Sequence, residues 1–240
     1  MAHLDLEEQE QLDSIKTWWK MYGNLVTGVV TAAAIAVVGW QGWQWYNNNQ
    51  AAQASAIFSA LEDGIAAKDS QRIKATAGEL TEKYAGTPYA VLGAMAAAKA
   101  SFDAGDLKTA KLQLTWVADN AKNEMRDIGR LRLVAVLLDE KAYDEALKHL
   151  QATHAPAFAA RFAEMKGEVL LAQGKKEEAK TAFKAALASY DEKRKAEKLE
   201  RSGQVKSDKP EDGIKTEEDF IRGPYRELLL QKIDALGEKA

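Results

Sequence analysis

The sequence contains no cysteine and only four prolines among its 240 residues. Without cysteine, the chain has no disulfide, no thiolate metal site and no thiol nucleophile, which suits an oxidising compartment such as the periplasm. Because proline is scarce, long stretches rich in Ala, Leu, Lys and Glu run without a helix-breaking residue. The composition therefore predicts an all-α protein.

Residues and motifs typical of catalytic sites are also scarce. His149 and His154 are five residues apart, a spacing that does not place both on one face of a helix. The sequence has no phosphate-binding loop, nucleophile elbow or HExxH motif. The formal net charge of -3 is too small to indicate a nucleic-acid partner. We expect no enzyme, no metal site and no cofactor, with an enzyme of unrecognised site as the minor alternative.

Charged residues are absent from residues 21–61. Within this run, residues 25–46 are apolar all round a helix and would extend about 33 Å, close to the hydrocarbon thickness of a bilayer. Aromatic residues, which favour the membrane interface, stand at both ends of the run: Trp18, Trp19, Tyr22, Trp40, Trp43, Trp45 and Tyr46. We predict one transmembrane helix over residues 25–46 in the lipid bilayer. A buried helix of a soluble fold is the alternative.

The flanks of this helix predict its orientation. Lys16 and Lys20 precede it, whereas no Lys or Arg follows it before Lys68. Because Lys and Arg favour the cytoplasmic side, residues 1–24 are predicted to be cytoplasmic and the rest periplasmic. Cleavage after residues 52–54 (Ala-Gln-Ala) is the alternative, but the preceding apolar stretch is too long for a signal peptide and its N-terminal region is acidic. We therefore favour an uncleaved signal anchor.

Two helical faces stand out in the first residues of the chain. Leu12, Ile15, Trp19 and Tyr22 recur at helical spacing and predict a partly amphipathic helix within residues 1–24. Small residues recur along one side of the predicted span, and small residues allow a second helix to approach closely. We predict that this membrane helix-packing face consists of Gly28, Ala32, Ala36 and Gly39.

After the span, the chain reads as a series of helix pairs over residues 47–201. The turns at Gly105, Lys141 and Gly174 are offset by 36 and 33 residues, and each precedes an alanine by five residues. An offset near 34 residues is typical of tetratricopeptide repeats, which pair two crossing helices. Residues 161–186 are the best copy: small residues stand where its two helices cross, and Phe183 fills the gap beside them, as Leu114 and Leu150 do in the earlier pairs. Residues 51–85 form an atypical first pair, divided at Asp69 and Ser70 and followed by Thr87 as the N-cap of the next helix. A generic helical bundle is the alternative.

The end of the chain predicts a linker and a cap. Residues 202–223 are polar and include Gly and Pro, as expected of a linker. In residues 224–240, an apolar stripe (Tyr225, Leu229, Ile233 and Leu236) predicts a helix that covers the last repeat.

A concave groove is the candidate protein-binding site. In a tetratricopeptide superhelix, the first helix of each pair lines the concave surface. In the register of the three turns, the groove residues are Met95, Lys99, Phe102, Asp103, Leu131, Ala135, Leu138, Arg161, Glu164 and Glu168. Their mixed apolar and charged side chains suit segments of other proteins. Ordinary core or solvated positions are the alternative interpretation.

The layout resembles the YfgM family, the tetratricopeptide-repeat accessory subunits of the bacterial Sec translocon. The resemblance rests on EEQEQLDSIKTWWKMYG before the span, GWQGWQWY at its exit, and LRLVAVLLDEKAYDEALKHL and MKGEVLLAQGKKEEAKTAF in the repeats. It implies an inner-membrane protein with a periplasmic repeat domain. It also implies two partners, the Sec translocon membrane subunits and a membrane-bound periplasmic chaperone of the prolyl-isomerase type.

The expected function is therefore a membrane-anchored protein-binding module that assists unfolded exported proteins beside the translocon. The alternative function is an inner-membrane scaffold for cell division or outer-membrane assembly.

Overall fold

A computed structural model describes residues 6–204 and 223–237, and these residues contain helices and turns but no β-strand. This finding confirms the all-α prediction. The elements in chain order are α1 (Leu6–Ala66), α2 (Ser70–Lys83), α3 (Pro88–Asp103), α4 (Leu107–Asn120), α5 (Asn123–Asp139), α6 (Tyr143–Leu150), a 3₁₀ turn (Pro156–Phe158), α7 (Ala159–Ala172), α8 (Lys176–Gln204) and α9 (Pro224–Asp234).

The chain divides into two units, Met1–Gln53 and Ala54–Ala240. In the first unit, α1 contains the predicted span over residues 25–46. In the described part of the chain, α1 is the one helix long and apolar enough to cross a membrane. The last residues of α1, 54–66, belong to the second unit.

The second unit consists of successive helix pairs. Residues 54–66 of α1 precede α2, and α3 packs on α4, α5 on α6, and α7 on α8. Each pair also contacts the next, since α2 packs on α3, α4 on α5, and α6 on α7. The helix predicted from Pro224 is present as α9 and packs on α8. The predicted linker, residues 202–223, lies mostly outside the described residues.

The turns inside the four pairs share one backbone conformation. Gly105 and Gly174 have φ values of 78° and 80°, and Lys68 and Lys141 reach 54° and 60° at the equivalent places. A positive φ reverses the chain tightly after the first helix, and glycine adopts it at the lowest cost. The predicted alanines five residues after three of these turns are completely buried: Ala110, Ala146 and Ala179.

The starts of the helices are capped unevenly. Asp69 accepts hydrogen bonds from the backbone N–H groups of Gln71 and Arg72, and Asp106 accepts one from Thr109. A bond from Lys74 and the bonds from Thr109 lower the pKa of Asp106 to about 2. Thr87, predicted as the N-cap of α3, occupies that position, but its hydroxyl donates to the Tyr84 carbonyl at 2.8 Å instead of capping.

Buried apolar residues form three clusters along the second unit. The first joins α1 to α3, the second joins α3 to α7, and the third joins α7 and α8 to α9. Close helix crossings require small residues, as the repeat pattern predicted. A Cβ added to Gly167 would lie 2.5 Å from the ring of Phe183, which is itself completely buried. Leu114 and Leu150, the predicted equivalents of Phe183, are also buried.

Candidate functional site

The aromatic residues of α1 lie at two levels, separated by about 27 Å between Tyr22 and Trp40 at the rise of an α-helix. At the first level, the ring centroids of Trp18 and Tyr22 are 5.8 Å apart. At the second, those of Trp40 and Trp43 are also 5.8 Å apart. All four side chains are exposed on the helix surface. Such rings suit the two interfaces of a bilayer.

The predicted membrane helix-packing face is exposed along its length: Gly28, Ala32, Ala36 and Gly39. A Cβ added to Gly28 or Gly39 would meet no atom within 4 Å, so both backbones are open to a neighbouring helix. Gly23, in contrast, is covered by the indole of Trp19, 3.2 Å from such a Cβ. That this face binds another helix stays a prediction.

Five of the predicted groove residues meet in one cleft between α3 and α5, with a volume of about 350 Å³. We call it the α3–α5 cleft. Its predicted members are Met95, Lys99, Phe102, Asp103 and Ala135. The register of the first helices explains this meeting, because residues at equivalent places in adjacent repeats face the same side.

Four further residues line the α3–α5 cleft and were not predicted from the sequence: Ala98, Leu114, Arg132 and Val136. Ala98 and Ala135 are small, and their short side chains leave the space that the cleft occupies. Phe102 stands at the cleft with 40% of its surface exposed. The cleft therefore offers apolar area to another molecule.

The charges of the cleft do not balance. The ammonium of Lys99 contacts the carboxylate of Asp103 one helical turn away. Arg132 lies on the same cleft, and in the described residues no ion pair to its guanidinium is found. One positive charge is therefore left over at the cleft.

Leu131 and Leu138, also predicted for the groove, do not line this cleft. Both are half-buried and pack against the cluster that joins α3 to α7.

The remaining predicted groove residues, Arg161, Glu164 and Glu168, lie on α7 where α9 packs. Glu164 is only 4% exposed, and its carboxylate accepts hydrogen bonds from the Tyr225 hydroxyl at 2.8 Å and from Lys232 Nζ at 2.7 Å. Arg161 donates to the same carboxylate at 2.9 Å.

Lys232 also binds Glu168 at 2.6 Å. We call the five residues joined by these bonds the α9 latch: Arg161, Glu164, Glu168, Tyr225 and Lys232. This part of α7 therefore contacts the chain's own C-terminal helix.

The latch shifts the pKa values of three of its members, Glu164, Tyr225 and Lys232. Burial alone would raise the pKa of Glu164, but the hydrogen bonds from Lys232 and Tyr225 outweigh burial and lower it below its ordinary value. Burial, and then the hydrogen bond to Glu164, raise the pKa of the Tyr225 hydroxyl. Burial lowers the pKa of Lys232, yet its bonds to Glu164 and Glu168 raise it overall. At neutral pH the ionised Glu164 carboxylate therefore bonds the Lys232 cation.

His154 lies beside α7, and His149 lies within α6. The ring of His154 stacks on Phe162 at 4.3 Å, and burial lowers the pKa of His149. Among the side chains of residues 12–200 and 223–237, no group of three His, Asp or Glu is arranged to hold a metal ion.

Comparisons with known proteins agree with this architecture. The family model of a tetratricopeptide repeat-like domain matches residues 16–209. A protein of Neisseria gonorrhoeae is 30% identical over 98% of this chain and 99% of its own length. One of Haemophilus influenzae is 30% identical over 77% of this chain and 90% of its own. One of Escherichia coli is 28% identical over 76% of this chain and 88% of its own length.

All three relatives are named ancillary SecYEG translocon subunits. No solved structure matches the chain significantly. The apolar helix α1 and these relatives together fit a single-pass protein of the inner membrane. The chain belongs to the YfgM family of ancillary SecYEG translocon subunits and carries its tetratricopeptide repeat-like domain.

Proposed function

We propose that this protein is a non-catalytic adaptor that associates with the SecYEG translocon through α1 and holds segments of unfolded exported proteins on its repeat domain. The observation that carries the proposal is the match to the Neisseria gonorrhoeae subunit, which extends over 98% of the chain and so includes the membrane helix as well as the repeats.

In this proposal, residues 1–24 are cytoplasmic and the repeat domain is periplasmic. Lys16 and Lys20 support that orientation, since they lie on the N-terminal side of the span and no Lys or Arg follows the span before Lys68. A periplasmic repeat domain would meet exported chains as they emerge. The membrane-bound prolyl-isomerase chaperone implied by the family resemblance would be a second partner on that side.

Association in the membrane would use the helix-packing face of α1. In lipid, helices associate by close packing rather than by the hydrophobic effect, so the exposed backbones of Gly28 and Gly39 provide the contact area. The repeat domain would contribute the α3–α5 cleft, which offers apolar area and charge to a client segment.

Site-specific photo-crosslinking in cells tests the proposal. A crosslinking residue at Ala32, on the small face, should label translocon membrane subunits. The same residue at Ala34 should label them far less, because two residues rotate the helix by about 200°. At Ala135, in the cleft, it should label exported chains during secretion, whereas at the exposed Ala185 of α8 it should not.

Replacing Gly28 and Ala32 together by Leu should preserve membrane insertion and reduce co-purification of the translocon. Equal labelling from Ala32 and Ala34 would contradict the packing face. Labelling confined to division or outer-membrane assembly proteins would instead favour the scaffold function.

A further inference from the structure

The α3–α5 cleft combines an apolar floor with an unbalanced positive charge. Met95, Leu114 and Val136 are almost completely buried beneath it, and Phe102 is exposed beside it. A volume of about 350 Å³ is at the lower end of the range for binding pockets and accommodates one or two large side chains. The occupant is therefore a short segment with an apolar anchor, not a whole folded surface.

The charges at the cleft determine which side chain of a bound segment is favoured beside the apolar anchor. Lys99 is paired with Asp103 on its own helix. Arg132 faces the same cleft from α5, and the described residues supply it with no carboxylate. A carboxylate brought beside it would gain a charge-assisted hydrogen bond from the exposed guanidinium at the rim of the cleft, whereas a lysine would meet two cations.

We propose that the α3–α5 cleft recognises acidic–apolar segments, in which a Leu or Phe side chain enters the cleft and an Asp or Glu one or two residues away binds Arg132. In an extended segment, residues two apart lie on one face about 7 Å from each other, a separation that suits an anchor on the floor and a carboxylate at the rim. This inference deepens the proposed function and rests on it, because it names the class of segment that the repeat domain holds.

The experiment uses the full chain in lipid nanodiscs, with empty nanodiscs as the blank. Binding of three peptides is measured by saturation-transfer NMR, which detects weak complexes. The peptides are GSGSDLFDGSGS, its basic twin GSGSKLFKGSGS, and GSGSDSSDGSGS, which lacks the anchor. We expect the first peptide to bind about tenfold more tightly than the basic twin, as one charged hydrogen bond implies. The third should bind more weakly than the first.

Variants of the cleft should change this preference in a defined way. Arg132→Gln should remove the preference for the acidic peptide, and Arg132→Glu should reverse it in favour of the basic twin. Lys108→Glu, an equal charge reversal at an exposed residue of α4 outside the cleft, should leave it unchanged. A reversal of preference cannot arise from loss of folding, so the pair of Arg132 variants tests recognition directly.

Ala135→Trp, which fills the cleft, separates two kinds of failure. If this variant abolishes binding of both Leu-Phe peptides while the wild type binds them equally, the acidic preference is overturned and the groove function stands. If Ala135→Trp binds all peptides like the wild type, the cleft is not the binding surface, and both the inference and the proposed use of the groove are overturned. Translocon labelling from Ala32 is independent of either result.

Discussion

The α9 latch makes a quantitative prediction for Lys232→Met. The change keeps the length and packing of the side chain but removes the cation that bonds Glu164 and Glu168 at 2.7 and 2.6 Å. The two remaining donors to Glu164, Arg161 and Tyr225, both bond its Oε2 atom, so its Oε1 loses the partner that Lys232 supplied. A nearly buried carboxylate oxygen then lacks a hydrogen bond.

Removing one partner of a fully buried ion pair costs about 3 to 5 kcal/mol. The cost here is smaller, because the Lys232 side chain is 25% exposed, Glu168 can be rehydrated, and Arg161 still compensates the charge of Glu164. We therefore expect a loss of about 2 kcal/mol, within the range for a hydrogen bond to a charged group. The apolar anchors Leu229 and Ile233 remain, each contributing about 2 kcal/mol by burial.

Hydrogen exchange followed by mass spectrometry measures this loss locally. Protection of the α9 amides should fall about thirtyfold, which corresponds to about 2 kcal/mol, while α3 to α6 stay unchanged. The control is Lys166→Met, at an exposed residue of α7. Adding Glu164→Met to Lys232→Met should restore part of the protection, because it removes the orphaned carboxylate. A loss below threefold, or an equal loss in the control, would refute the reasoning.

Two further predictions concern the turns and pH. Gly174→Ala should lower the free energy of unfolding by about 1 kcal/mol, because φ is 80° at this residue. Gly86→Ala is the control and should not lower it, since its added methyl group also enters open space but its φ is not positive. Urea denaturation followed by circular dichroism measures the free energy of unfolding of both variants. Because the pKa of Glu164 is lowered on folding, its stabilising effect is present at neutral pH and lost as the pH falls through the folded-state pKa, below the ordinary carboxyl range. The decrease in thermal stability on acidification should therefore be smaller in Glu164→Gln than in the wild type.

The elements that were predicted well from the sequence are set by patterns of residues close together in the chain. The charge-free run predicted the apolar helix, and the spacing of Gly105, Lys141 and Gly174 predicted the pairing, because each turn sets the register of the helices on either side. The same register brought Met95 and Ala135 to one cleft. The turn at Lys68 was placed only approximately, since a lysine with positive φ has no sequence signal of its own.

What the sequence did not reveal depends on contacts between distant residues. The stripe of α9 was visible, but its docking on Glu164 joins residues more than sixty positions apart. A signal was nevertheless present: Lys232 lies on the same helical face as Tyr225 and Leu229, and Glu164 and Glu168 are spaced one turn apart on α7. A lysine within an apolar stripe needs a buried acidic partner, and this pair of glutamates is complementary to it.

The small open area of the α3–α5 cleft limits the affinity with which the proposed groove can bind a client segment. Because α9 bonds the carboxylates of Glu164 and Glu168 on α7, the predicted groove residues that stay available to a client are those of the α3–α5 cleft. Burying one Leu or Phe gives about 2 to 3 kcal/mol, and one charged hydrogen bond about 1.5 kcal/mol. Because association also costs translational and rotational freedom, a single segment binds with a Kd no tighter than on the order of 1 mM. Such weak binding would be ineffective for a freely diffusing protein. Under the proposed function, however, α1 tethers the cleft beside the emerging chain at an effective concentration in the mM range, so weak and rapidly released contacts suffice.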